Sequence, residues 1–222
     1  RRQWENMASL LPIVGLFFVP ILAVELLQGG LIYPWMDTAH TAGDVIAAGK
    51  APFLNPTFFI ARSFVYVALW TVLSRYMVGL SRRQDQTGDP NLTRRMRFTS
   101  CGGILALGLS IAFASFDWVM SMDFHWFSTM FGVYFFAGSL LSSVALCIIV
   151  LTLLSKSGRL NGLVSVEHFH DLGKLMLAFT VFWAYIAFSQ YFLIWYSNIP
   201  EETAWYLVRK KDGWENVFYL LC

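Results

Sequence analysis

Asp117, Asp123 and His125 fall within nine residues, in the stretch FDWVMSMDFHWFS that spans 116 to 128, and no Lys or Arg lies among them. Two carboxylates and an imidazole at the rim of an apolar region have proton affinities that burial and neighbouring charge can tune, so the cluster suits a proton relay to water. The same residues also suit an interfacial turn, with Trp118 and Trp126 anchored at headgroup level and an Asp capping the next helix. A second group, Glu167, His168, His170 and Asp171 in EHFHDLGK, offers two imidazoles and two carboxylates. H-x-H spacing turns the two rings about 200° apart on a helix, which argues against one compact metal site. Proton uptake, or plain acidic residues at a helix N-terminus, are the readings that remain. Glu25 follows a long uncharged run and lies five positions beyond Pro20. A carboxylate at that depth is a functional candidate or the partner of Arg62.

The elements that must position these groups are membrane helices. The 222 residues are 57% hydrophobic and 17% aromatic, and only 14% are charged, against about 25% in soluble domains. Apolar segments at about 7–28, 57–80, 97–118, 126–155 and 174–198 are each long enough to span about 30 Å of hydrocarbon, and a sixth starts at 217–222. The expected fold is therefore an all-α, multi-pass transmembrane helical bundle in one integral membrane domain. Pro12 and Pro20 are expected to kink the first helix. Gly102, Ala106, Gly108 and Ala112 give the third a small-residue face for close packing. Residues 29 to 56 read as a segment at the interface.

Charge sets the expected topology. Ten basic residues (Arg1, Arg2, Arg82, Arg83, Arg94, Arg95, Arg97, Lys156, Arg159 and Lys174) flank one set of connections, against Lys50, Arg209, Lys210 and Lys211 on the other. The positive-inside rule places the first set in the cytoplasm and residues 116–128 outside. A net charge of +2, scattered along the chain, gives no basis for nucleic-acid binding. Cys101, Cys147 and Cys222 lack metal-ligand or haem-attachment spacing, and the four histidines, His40 included, are expected in connections, away from the axial positions of a transmembrane haem. Any redox centre serving this chain is thus expected in a partner, and no residue is assigned to catalysis or a metal. The start at Arg1 and the end in VFYLLC suggest an internal piece of a longer protein.

Taken together, ASFDWVMSMDFHWFSTMFGVYFFAG (114–138) and EHFHDLGKLMLAFTVFWAYIAFSQYFLIWYSNIPEET (167–203) resemble the F subunit of bacterial alternative complex III, of the NrfD/PsrC-like type. That resemblance implies a membrane subunit of a respiratory quinol:cytochrome c (or other acceptor) oxidoreductase in the bacterial cytoplasmic membrane. It implies partners: a homologous membrane protein of the same assembly, multihaem cytochromes c, an iron–sulfur protein and lipids. Haem c and iron–sulfur clusters then belong to those partners, with quinone or quinol a possible ligand of this one. It also implies proton conduction, for which Asp117, Asp123 and His125 match the outer motif and Glu167, His168, His170 and Asp171 the inner. Ser189, Gln190 and Tyr191, or the Ser and Tyr residues of 126–155, are candidate groups between them. The aromatic residues of 182–196 could line a quinone pocket or face lipid. A secondary transporter, suggested by the Pro-bearing first helix and Glu25, and a purely structural anchor are the rival readings.

Overall fold

The computed structural model describes residues 2–160, 162–211 and 213–217. Among them there is no strand. The helices are α1 (Arg2–Ala8), α2 (Leu11–Gln28), α3 (Val45–Lys50), α4 (Pro56–Thr87), α5 (Pro90–Trp118), α6 (Met130–Lys156), α7 (Val166–Ser197) and α8 (Pro200–Arg209). Five spans are long and apolar enough to cross a membrane: Gln3–Gln28, which joins α1 to α2, and the helices α4 to α7. Neighbours in sequence pack on one another from α4 to α7, as short connections between antiparallel helices require. The expected sixth segment at 217–222 lies, beyond Val217, outside the described residues.

Local chemistry explains where each helix starts and stops. Asn55 and Asp89 cap α4 and α5 by accepting the N–H groups of Phe58 (2.9 Å) and Asn91 (2.9 Å), each with a Pro following at the first helical position. Gly88, with φ at 65°, ends α4 in the left-handed conformation that glycine adopts without strain. These caps carry α4 and α5 beyond the apolar boundaries at 80 and 97. The arginine-rich segment is a continuation of both helices, because Arg, Gln and Met are good helix formers whatever their hydropathy. Pro12 falls in the first turn of α2, where its missing N–H has no intrahelical role; the break precedes it at Ser9 and Leu10. Pro20 sits inside a continuous α2.

Small residues allow close approach at only some of the expected places. A Cβ at Gly132 of α6 would lie 2.8 Å from Ala112 Cβ, and one at Gly15 of α2 would lie 2.7 Å from Val67 Cγ1 of α4, whereas Gly102 faces open space. Most of the remaining helix surface is apolar and exposed, as in Phe17, Phe64, Phe98 and Phe188, which suits a lipid environment. The buried aromatic residues gather at one end. Tyr33, Trp35, Phe59 and Phe124 form one cluster, and Trp126, Phe131 and Ile194 another. That end, roofed by residues 29–55 and 119–129, is called the capped end; the α4–α5 turn at Gly88 marks the opposite, hairpin end.

Candidate functional site at the capped end

Asp117 is fully buried in the last turn of α5, and α4 supplies both of its side-chain partners. Arg62 donates from Nε to Oδ2 and from Nη2 to Oδ1, both at 2.8 Å, and the Tyr66 hydroxyl donates to Oδ2 at 2.8 Å. This fork matches guanidinium to carboxylate through two parallel bonds. Arg62 Nη1 also donates to the Phe53 carbonyl (3.1 Å), and its guanidinium lies 3.9 Å from the Phe53 ring and 4.1 Å from Phe58. Every part of the buried charge therefore has a partner, which an intramembrane ion pair requires. A layer of indole bonds continues inward: Trp118 Nε1 donates to Ser63 Oγ (2.9 Å) and Trp70 Nε1 to Ser110 Oγ (2.8 Å).

Glu25 is not the partner of Arg62. Its carboxylate accepts the backbone N–H groups of Gly30 (2.9 Å), Ile32 (2.9 Å) and Tyr33 (3.1 Å), and so folds the chain back at the end of α2. Gly30 stands at φ 87°, and a Cβ there would meet Asp37 Cβ at 2.6 Å, so the turn needs glycine. Tyr33 in turn donates its hydroxyl to the Trp118 carbonyl at 3.1 Å. Burial, followed by the charges of Glu25 and Asp117, pushes the Tyr33 phenol up to about 12.

The other two members of the 117–125 cluster have separate surroundings. His125 Nε2 meets Asp44 Oδ2 at 2.6 Å, tying the 119–129 connection to the start of α3. Asp44 caps α3, and the N–H of Ala47 is the main cause that holds its carboxyl below the usual range, helped by His125. Asp123 acts at longer range: burial lowers the proton affinities of both Lys50 and Arg209, and the charge of Asp123 opposes that shift in each. Lys50 donates to the Phe124 carbonyl at 2.5 Å. Asp117, Asp123 and His125 thus occupy three environments instead of one relay.

At the hairpin end, Glu167, His168, His170 and Asp171 are all exposed on the first turns of α7, so His168 and His170 are helical, not in a connection. His168 Nδ1 closes a capping box with Ser165, accepting its backbone N–H at 3.1 Å. Asp171 lies 3.5 Å from Lys174. Among the described residues no three His, Cys, Asp or Glu side chains are placed to share a metal.

A cavity of about 620 Å³ opens between α6, α7 and α8 on the capped side, within the range of small-molecule sites. Its walls are Phe131 and Tyr134 of α6, Trp183, Phe188 and Tyr191 of α7, and Trp205 and Tyr206 of α8. Trp205 stacks on the buried Trp126 with ring centroids 4.2 Å apart. Arg209 lines the mouth, bonded to the Trp205 carbonyl (2.7 Å) with its guanidinium 3.2 Å from that ring. Gln190 also lines the cavity and is only 6% exposed. Its amide brings two donors and one acceptor to a largely aromatic space.

Trp205 and Tyr206 were not singled out in the sequence, and Arg209 was read only as an outer charge, because α8 is short and its charges mask a 3.6-residue apolar stripe. The chain matches no protein-family model, and no curated protein is similar to it.

Proposed function

We propose that this chain is an integral membrane subunit of a respiratory quinol:acceptor oxidoreductase of the alternative complex III type, and that the α6–α7–α8 cavity receives a quinone ring. The amide of Gln190, set among the aromatic walls of this space, carries the reading. A quinone or quinol presents flat apolar faces for Trp183 and Tyr134 and a polar oxygen that the Gln190 amide N–H can bond. The resemblance of 114–138 and 167–203 to the F subunit adds the assembly: a homologous membrane protein, multihaem cytochromes c and an iron–sulfur protein that hold the electron carriers. On this reading the membrane is the bacterial cytoplasmic membrane and the capped end faces outward. Protons enter near His168 and His170 and leave through the exposed pair of His125 and Asp44, with Asp117 serving as the fixed anchor of Arg62.

The complex purified in mild detergent tests both parts. Titration with a short-chain quinone should quench tryptophan fluorescence saturably, because Trp183 and Trp205 line the cavity. Gln190→Leu should weaken that binding about tenfold, the loss of a hydrogen bond worth ~1.4 kcal/mol. A protein that purifies without haem-bearing partners and shows no saturable quenching would favour the transporter or anchor readings.

A further inference from the structure

The basic side chains at the two ends of the bundle are used differently. At the capped end Arg62, Lys50, Arg209 and Lys210 all donate inward, to Asp117, the Phe124 carbonyl, the Trp205 carbonyl and the Tyr191 hydroxyl (3.4 Å). At the hairpin end Arg82, Arg83, Arg94, Arg95 and Arg97 line the two helices. Among the described residues none of these five guanidinium groups has a hydrogen-bond or ion-pair partner. The acidic groups between them are already engaged: Asp89 caps α5 and Asp85 has its own contact.

Helix geometry fixes the height of these groups. Arg82 lies twenty residues beyond Arg62 on α4, and Arg97 twenty residues before Asp117 on α5; at 1.5 Å per residue each interval is about 30 Å. The buried Arg62–Asp117 pair and the arginines are therefore one hydrocarbon thickness apart. Because α4 and α5 are antiparallel neighbours, the five side chains form a band around one hairpin at a single level, where lipid phosphates lie. The band contains no lysine. Guanidinium bonds phosphate oxygens in a two-pronged fork, whereas ammonium acts as a point charge.

We propose that this arginine band is a binding site for the phosphodiester headgroups of anionic phospholipids, which form a selected annulus around the α4–α5 hairpin. It stands independently of the quinone reading. The test is electron spin resonance of the full protein, in its complex, reconstituted in phosphatidylcholine with spin-labelled phosphatidylglycerol or phosphatidylcholine as probe. The motionally restricted fraction should favour phosphatidylglycerol, and the preference should fall as salt rises. Replacing Arg82, Arg83, Arg94 and Arg95 by Gln should abolish it, with each charge contributing up to about fivefold, while the four-lysine variant should retain only part. Equal affinity for the two probes in the unmodified protein would overturn the proposal, as would a preference untouched by salt. Unchanged lipid preference in the glutamine variant, with loss of a partner protein instead, would assign the band to an acidic protein surface and overturn it as well.

Discussion

Asp117 and Glu25 are both carboxylates buried at the capped end, and each solves the problem of burial in its own way. Glu25 takes backbone N–H groups from the residues that follow it; Asp117 takes a guanidinium from another helix. Removing one member of a buried pair leaves the other charge uncompensated, which is more damaging than never having had the pair. Asp117→Asn should therefore lower stability by about 3–5 kcal/mol in detergent unfolding experiments, and the double variant Arg62→Met, Asp117→Leu should recover most of it. A loss below about 1 kcal/mol for the single variant would mean that water reaches the pair. The sequence named Asp117, Glu25 and Arg62 as notable, but it held no means of choosing which carboxylate Arg62 meets. All three lie at one level by residue count, and only the tight turn at Gly30 commits Glu25 to its own chain.

Among the elements, α5 and α6 show where spacing is informative and where it is not. The glycine and alanine positions of α5 recur at helical intervals, yet only Ala112 is pressed against a neighbouring glycine, Gly132, with Phe116 Cζ also 3.1 Å from a Cβ there. Small residues permit close approach without dictating it, since the partner must place its own small residue opposite. Gly132→Ala should thus overpack a contact made of main chain and methyl groups, lowering stability by about 1–3 kcal/mol. Gly102→Ala, on the same bundle but facing open space, should be neutral or stabilising by up to about 1 kcal/mol. Unfolding midpoints that shift equally for both would refute the assigned packing face. The spans themselves were legible because apolar length is a strong signal. Helix ends were not, since α4 and α5 run on through arginines until Gly88. Trp126 reads as the first turn of a helix, but it is buried in the preceding connection, and α6 starts at Met130.

At the scale of the whole molecule, both ends carry polar ties: Ser81 to Glu5 (2.7 Å) and Ser74 to the Ala8 carbonyl (2.6 Å) join α4 to α1 toward the hairpin end, while the capped end holds a whole connection. The connection 29–55 is held by Glu25 from α2, by Trp118 of α5 through Tyr33, by Phe124 through Lys50, and by His125 through Asp44. These contacts lie at the ends of the spanning helices, so the cap is expected to open as a unit separate from the bundle. Tyr33 offers a way to observe this. Its folded-state value, about 12, lies above the ordinary 10.0; a raised value means that its contribution is complete below about pH 10 and is lost as pH rises through 12. Hydrogen exchange of residues 29–54 should accordingly gain an additional opening component between pH 10 and 12, beyond the intrinsic rise in exchange rate, while the amides of α6 show none. Tyr33→Phe removes the titrating proton and the bond to Trp118, so the cap should exchange faster at neutral pH and lose that added alkaline component. If the variant kept the alkaline opening unchanged, the cap would be held by its other ties, and the bond from Tyr33 would be incidental to the closure of the capped end.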